Sequence, residues 1–241
     1  MSLSFQDPAT QSIRELIFLY DHVLILMVSI LIFISYIFYY LLVNPIFYKF
    51  FSENTFLESV WSVVPSIIII FLVIPSIRLL YIVEDVKTPS YTFKVVGHQW
   101  YWTYVSPLFK NFSYSIGNDI FSGFEYDSFL DVESRDSPRL LGCSCDFFIP
   151  VHTTSRLLVS STDVIHSFSI PSIRLKVDAI PGRINQLFVT PRVVGSFFGQ
   201  CSEICGSNHS FMPISLKVCG LGDFDSISKS QVLELLGGGD F

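Results

Sequence analysis

Two long apolar runs near the N-terminus constrain the fold of this chain more than any other feature. Residues 23–43 carry no charged side chain, and residues 60–77 are equally apolar, with Arg78 directly after them. A helix needs about 20 mostly apolar residues to cross the hydrocarbon core of a bilayer. Both runs are therefore predicted to span a membrane, as helices over about 23–43 and 60–81. The alternative is a pair of buried core helices in a soluble protein.

The link between the two runs, residues 44–59, is short, so the helices are predicted to form an antiparallel hairpin with both ends on one side. Pro65 and Pro75 interrupt the second run, which a spanning helix tolerates when neighbouring groups satisfy the freed backbone. The first twenty residues contain one arginine and acidic side chains, unlike a transit peptide. We therefore expect no cleaved leader.

The composition changes after residue 81. Short runs rich in Val, Ile, Phe and Tyr alternate with Pro, Gly, Ser and Asp, for example at 92–96, 157–160, 184–190 and 214–218. Several short strands with turn signals between them are typical of a β-sandwich or barrel. We divide the chain into a membrane part, residues 1–81, and a β-domain, residues 82–241, with one late helix at 228–236.

Charge and composition exclude several classes of protein. A chain with 50% hydrophobic residues is not disordered, and a net charge of −6 without a cluster of Lys or Arg argues against a nucleic-acid partner. Residues 119–136 contain six acids and one arginine. Such a surface attracts cationic partners, although a solvated loop is an equal alternative.

The residues most informative about chemistry lie between 199 and 213. Cys201, Cys205, His209 and Met212 follow one another closely there, and His166 precedes them. Thiolate, imidazole and thioether together select soft or borderline metals. Zinc sites use Cys, His and carboxylates, so the thioether favours copper.

The second cysteine goes beyond the blue-copper ligand set of two His, one Cys and one Met. Two thiolates four residues apart could bridge two coppers, each completed by one His and one weak ligand, Met212 on one side and a carbonyl on the other. Such a pair suits electron transfer, since one electron is shared with little change in geometry. A Cys201–Cys205 disulfide and a mononuclear Cys2His2 zinc site remain alternatives.

The same segment resembles the dinuclear copper A loop of cytochrome c oxidase subunit II. Residues 177–186, VDAIPGRINQ, and 97–102, GHQWYW, resemble further stretches of that family. The resemblance extends over about residues 16–218. It implies a two-helix transmembrane hairpin followed by an all-β, cupredoxin-like Greek-key barrel.

The resemblance also implies roles for individual residues. The copper ligands would be His166, Cys201, Cys205, His209, Met212 and the backbone carbonyl of Glu203. The side chain of Glu203 would also reach a magnesium ion at the boundary with subunit I.

Three more residues receive a role only from the resemblance. Trp100 would be the entry point for electrons from cytochrome c, and Glu58 would lie at the mouth of a proton pathway into subunit I. Asp163 would be an acid near the docking surface for cytochrome c.

The implied function is that of the electron-transfer subunit of cytochrome c oxidase. It would accept electrons from cytochrome c at copper A and pass them to a heme of subunit I, where oxygen is reduced to water and protons are pumped. The hemes and a further copper are expected in subunit I. Other oxidase subunits and membrane lipid are the expected partners. The expected location is the mitochondrial inner membrane, with the β-domain in the intermembrane space. The alternative is a bacterial plasma membrane with a periplasmic β-domain.

Some residues depart from the family pattern. Val105 stands where many members have an acid, residues 106–120 form an altered loop, and Phe168 replaces the usual Trp. Cys143 and Cys145 are expected to be free thiols or small buried residues, and Cys219 has no assigned role. These departures affect the docking of cytochrome c rather than the copper ligands.

Three other functions share part of this pattern. A nitrous oxide reductase carries a copper A domain but lacks two N-terminal spans, and a quinol oxidase subunit II has the hairpin but not the copper ligands. A zinc-stabilised interaction module anchored in a membrane would not need Met212.

Overall fold

A computed structural model of the chain describes residues 4–44, 50, 52–85, 88–107, 123–132 and 138–237. It contains two compact units. Residues 14–85 form a helical unit, and residues 1–13 together with 86–241 form a β-domain.

The helical unit contains α1, Gln11–Val43, from its fourth residue onward, and α2, Thr55–Glu84. Both helices are long and apolar enough to cross a membrane. Each begins before its apolar run because a polar side chain caps it. Thr10 Oγ1 accepts a hydrogen bond from the Ile13 N–H at 3.4 Å, and Asn54 Oδ1 accepts one from the Leu57 N–H at 3.0 Å. Such caps satisfy the first free N–H groups of a helix. The apolar runs therefore locate the two helices but not their first turns.

The β-domain has ten strands within the described residues: β1 Tyr91–His98, β2 Tyr101–Pro107, β3 Gly123–Ser128, β4 Phe147–Pro150, β5 Ser155–Ser161, β6 His166–Ile170, β7 Leu175–Ala179, β8 Asn185–Val189, β9 Gly195–Gln200 and β10 Pro213–Cys219. One sheet has the order β3-β2-β1-β5-β8, another β4-β10-β9, and β6 pairs with β7. A last helix, α3, spans Leu221–Gly237 and is longer than the predicted 228–236. The prediction of a transmembrane hairpin followed by an all-β domain is confirmed.

The pairing of β9 with β10 defines the loop that carries the cysteines. Gln200 pairs with Pro213 at the end of this antiparallel ladder. Residues 201–212 therefore form a closed connection between two paired strands, which limits how far its side chains can move.

An aromatic core lies beneath this loop. Trp102, Tyr104, Phe147 and Phe168 are fully buried, with the Trp102 and Phe168 rings 5.2 Å apart and the Tyr104 and Phe147 rings 4.7 Å apart. Cys201, Cys205 and Met212 belong to the same buried cluster. The loop side chains consequently lie in an apolar environment, where electrostatic interactions are stronger than in water.

The residues before α1 pack on the β-domain, a contact that the sequence patterns did not indicate. Ala9 is 2% exposed. Its N–H donates to the Ser172 carbonyl at 3.1 Å, and its carbonyl accepts from the Arg192 N–H at 2.9 Å. Thr10 Oγ1 donates to the Ile173 carbonyl at 3.0 Å. The short segment before the first helix is therefore part of the β-domain structure.

Candidate metal centre

The fold brings His166 together with Cys201 and Cys205. The two sulfur atoms are 3.9 Å apart, and Cys201 Sγ lies 3.9 Å from His166 Nδ1. Possible donor atoms of these three buried residues all lie within 4.8 Å of one another. The group can hold a metal ion, and the two cysteines are free thiols rather than a disulfide.

Each thiol has one imidazole and one weaker donor beside it. Cys201 Sγ lies 3.2 Å from the Glu203 carbonyl oxygen in addition to its contact with His166. Cys205 Sγ lies 3.4 Å from His209 Nδ1 and 3.5 Å from Met212 Sδ. His209 begins a 3-10 turn, His209–Phe211, that places it and Met212 on the same side of the loop as Cys205.

The two thiols cannot easily be ionised together. Burial raises the pKa of Cys201, but hydrogen bonds with His166 and with the backbone at Glu203 and Ser167 outweigh it, so the pKa of Cys201 is lowered. Burial and the neighbouring Cys201 both raise the pKa of Cys205. Two buried thiolates at this distance repel each other, and a cation between them removes that repulsion.

Asp163 fixes the orientation of the His166 ring. Its Oδ1 accepts a hydrogen bond from His166 Nε2 at 2.9 Å, which leaves Nδ1 to face Cys201. A metal-binding histidine ordinarily uses such a second bond to set its tautomer. Burial lowers the pKa of His166, but Cys201 and Asp163 outweigh it, and the net pKa is raised.

Asp163 is exposed at the domain surface, yet its carboxylate accepts several hydrogen bonds within the domain. It also accepts the N–H of Gln99 at 2.7 Å and that of Val164 at 2.6 Å. Burial raises the pKa of Asp163, but the hydrogen bonds from His166 and the two N–H groups outweigh it and lower the pKa. In the structure Asp163 therefore orients His166, a role that the sequence patterns did not indicate.

Trp100 packs against the metal loop. A Cβ atom at Gly206 would lie 3.1 Å from Trp100 Cζ2 and 3.2 Å from its Nε1. Gly206 also has φ +129, a conformation that favours glycine. The half-exposed indole ring therefore lies directly on the residue that follows Cys205.

Sequence reasoning missed two residues that support the ligands. A Cβ at Gly97 would lie 2.9 Å from His166 Cδ2 and 3.1 Å from Trp102 Cζ3, so only glycine fits between the two rings. Trp102 Nε1 donates to the Met212 carbonyl at 3.3 Å. Gly97 and Trp102 are partners in the β1–β2 ladder, and both lie in the GHQWYW segment. That segment was the available signal, but it does not reveal which ligand each residue contacts.

The remaining predicted residues lie elsewhere. The Glu203 side chain is exposed, as is Glu58 in the first turn of α2. Cys143 and Cys219 are half-buried, Cys145 is exposed, and all three are free thiols. Burial raises the pKa of Cys143 to about 11. Much of the altered loop, residues 108–120, and of the acidic stretch, residues 119–122 and 133–136, lies outside the described residues.

Comparisons with known proteins match the same family along almost the whole chain. The family model described as cytochrome C oxidase subunit II, periplasmic domain, matches residues 91–219, and that of the transmembrane domain matches residues 1–79. Cytochrome c oxidase subunit 2 of Drosophila bifasciata is 41% identical over 219 residues, which cover 90% of each chain. The Branchiostoma floridae protein of the same name is 40% identical over 227 residues, covering 92% of this chain and 93% of the relative.

A solved structure matches the β-domain. The periplasmic domain of cytochrome oxidase subunit II from Bradyrhizobium japonicum is 37% identical with a TM-score of 0.53, covering 61% of this chain and 96% of that one. A second structure, also 37% identical, has a TM-score of 0.50 and covers 61% of this chain and 94% of that one. It contains a subunit II periplasmic domain in a mixed-disulfide intermediate with a thioredoxin-like protein.

Proposed function

The chain belongs to the cytochrome c oxidase subunit II family, and we propose that it is the electron-transfer subunit of such an oxidase. It receives electrons from cytochrome c at a dinuclear copper site and delivers them towards a heme of subunit I. Oxygen is reduced to water in subunit I, in a reaction coupled to proton pumping. The proposed ligands are His166, Cys201, Cys205, His209, Met212 and the carbonyl of Glu203.

The observation that carries this proposal is the pairing of each thiol with its own imidazole and its own weak donor. The 3.9 Å between the Cys201 and Cys205 sulfur atoms is close to the roughly 3.8 Å expected for two thiolates on one ion with bonds of about 2.3 Å. The two thiols can therefore share an ion, and the other donors distinguish one zinc from two coppers. His209 lies outside the group whose donor atoms are all within 4.8 Å. One zinc ion would need all four donors closer together, so these residues would better hold two copper ions, each beside one imidazole and one weak donor.

When bound, such a copper pair supplies a one-electron redox centre whose geometry changes little on reduction. The chain's own residues hold that geometry fixed. Asp163 orients His166, Trp102 holds the Met212 carbonyl, and the aromatic core excludes water beneath the two thiols. A rigid, dry setting keeps the cost of reorganisation low during electron transfer.

Trp100 is the proposed entry point for electrons. Its ring is half-exposed, and it rests on Gly206, next to Cys205. An electron donor at that surface would therefore be separated from the metal loop by one aromatic ring. Trp100→Phe should slow reduction by cytochrome c without changing the copper content, and unchanged kinetics would exclude this route.

Two further roles are proposed for acidic residues. The Glu203 side chain, exposed on the loop between Cys201 and Cys205, would contribute to a magnesium site completed by subunit I. Glu58, exposed in the first turn of α2, would lie at the mouth of a proton pathway into subunit I.

The relatives from Drosophila and Branchiostoma support a location in the mitochondrial inner membrane. In this arrangement residues 1–81 contain the membrane anchor, and residues 82–241 form the copper domain in the intermembrane space. Subunit I, other oxidase subunits and membrane lipid are the proposed partners. A thioredoxin-like protein is a further proposed partner, because a related subunit II domain forms a mixed disulfide with such a protein.

The test is to load the full-length chain with copper in detergent, because Ala9 and Thr10 pack on the β-domain. Metal content and the electron paramagnetic resonance spectrum should give two coppers per chain sharing one unpaired electron. Cys201→Ser should abolish the shared-electron signal. Met212→Leu should keep the fold but shift the reduction potential or weaken one copper.

Cys219→Ser is the matched control, because Cys219 is a half-buried thiol that does not belong to the group of possible metal ligands. It should leave copper content and spectrum unchanged. One copper with a single-nucleus pattern, or a preference for zinc without a signal, would overturn the dinuclear assignment. An unchanged spectrum in Cys201→Ser would overturn the bridging role of that residue.

A further inference from the structure

An apolar groove runs between α1 and α2 in the helical unit. Its volume is about 550 Å³, and residues from one face of each helix line it. On α1 these residues recur every three or four positions between 15 and 26, and on α2 between 71 and 79. The groove is therefore a feature of two antiparallel helices that do not fill the space between them.

The groove has one polar end and one apolar end. Glu15, His22 and Arg78 line the polar end. His22 and Arg78 directly flank the uncharged runs 23–43 and 60–77, and Glu15 lies about two helical turns before the first run. Leu26 and Phe71 line the other end. Seven residues separate Arg78 from Phe71, which at a rise of 1.5 Å per residue places the apolar end about 10 Å deeper in the membrane. A molecule that fills the groove must have a charged head and a hydrocarbon tail.

Arg78 provides the positive charge at this end. Its side chain is exposed, and it forms no hydrogen bond or ion pair with any side chain that the structure describes. A guanidinium at the headgroup level of a membrane pairs well with phosphate, to which it can donate two parallel hydrogen bonds.

Glu15 and His22 provide hydrogen-bond acceptors at the same end. His22 Nδ1 lies 3.1 Å from the Phe18 carbonyl, so Nδ1 carries the proton and Nε2 is left as an acceptor. A carboxylate has room for several donors, so Glu15 can accept from a ligand beside its existing contacts. Two acceptors beside one cationic donor suit a head that carries both a phosphate and an N–H-bearing ammonium.

We propose that this groove binds one aminophospholipid of the phosphatidylethanolamine type. Its phosphate pairs with Arg78, its primary ammonium faces Glu15 and His22, and one acyl chain lies along Leu26, Phe71 and Leu72. Phosphatidylcholine has no N–H to donate, and the carboxylate of Glu15 disfavours an anionic head such as phosphatidylglycerol. The headgroup, and not only the acyl chain, is therefore selected.

The experiment is native mass spectrometry of the full-length chain in detergent, titrated separately with the three phospholipids. The wild-type chain should retain one phosphatidylethanolamine and bind the other two about tenfold more weakly, as expected for the loss of one charge-assisted hydrogen bond. Arg78→Gln should weaken all three by a similar factor. Arg14→Gln is the matched control, because Arg14 is a cation of the same hairpin that does not line the groove.

A second variant tests the apolar end without changing any charge. Leu26→Trp fills the groove and should release the lipid, while the helical content measured by circular dichroism stays at the wild-type value. The proposal is overturned if the wild-type chain retains no phospholipid, if Arg78→Gln and Arg14→Gln bind equally well, or if all three headgroups bind equally. Cross-linking of Leu72→Cys to another oxidase subunit, with no lipid retained by the assembled complex, would also overturn it and assign the groove to a partner helix.

Discussion

The side-chain amide of Gln99 donates a hydrogen bond to the backbone carbonyl of Cys205 across 2.8 Å. The N–H of the same residue donates to Asp163, which in turn holds His166. Gln99 thus connects the segment that carries Trp100 with residues on both sides of the candidate metal site.

Gln99→Leu should loosen the metal loop, because the Cys205 carbonyl loses its partner. The contact is partly exposed, so we expect the free energy of unfolding to fall by only about 1 kcal/mol. In the metal-free chain, Cys201 and Cys205 should react several-fold faster with a thiol reagent. Gln186→Leu, at an exposed position on β8, should change neither quantity, and equal reactivity in the two variants would remove this role from Gln99.

Gly206→Ala should displace either the loop or Trp100. The new Cβ meets the indole ring at 3.1 Å, and the φ of +129 is unfavourable for any residue with a side chain. A residue held in such a conformation costs about 1–3 kcal/mol, which denaturant unfolding measures, and the fluorescence of Trp100 should shift.

The control for Gly206→Ala is Gly222→Ala. A Cβ at Gly222, within α3, meets nothing within 4 Å, and alanine favours a helix. This variant should be neutral or slightly stabilising. A loss of stability of the same size in both would contradict the assigned contact between Gly206 and Trp100.

Asp163→Asn should weaken metal binding while leaving the ligands in place. The amide can still accept from His166 Nε2, but the negative charge that favours this orientation is gone. Removing such a partner of a metal-binding histidine costs about 10–100-fold in affinity, measurable by competition with a chelator. Asp225→Asn, on the exposed face of α3, should have the wild-type affinity, and a wild-type value for Asp163→Asn would exclude its role in positioning His166.

Ala9→Glu should destabilise the β-domain, although residue 9 precedes the first membrane helix. Ala9 is buried in the aromatic core cluster, and a carboxylate there would lack a partner. Burying an unpaired charge costs several kcal/mol, so the melting temperature of the full-length chain should fall by several degrees. Gln6→Glu adds the same charge at an exposed position and should not lower it. A similar melting temperature for the two variants would show that residues before α1 do not stabilise the domain.

The two spans and the candidate ligands could be predicted from the sequence alone. An uncharged run of about 20 residues has one economical environment, the bilayer, and the combination of thiolate, imidazole and thioether restricts the metal wherever the ligands lie. Both conclusions depend only on local composition and spacing. The β-domain was predicted for the same reason, since short runs rich in Val, Ile, Phe and Tyr separated by turn residues are a local signal.

The arrangement and the support of the candidate ligands depend on the tertiary fold. His166 starts β6, whereas Cys201 lies between β9 and β10, so their 3.9 Å separation depends on how the strands pack. The hydrogen bond from the Gln99 N–H to Asp163 and the packing of Ala9 on Ser172 likewise join residues far apart in the chain. Such pairings follow from strand register and from the filling of one shared core, and no spacing within a single segment of sequence encodes them.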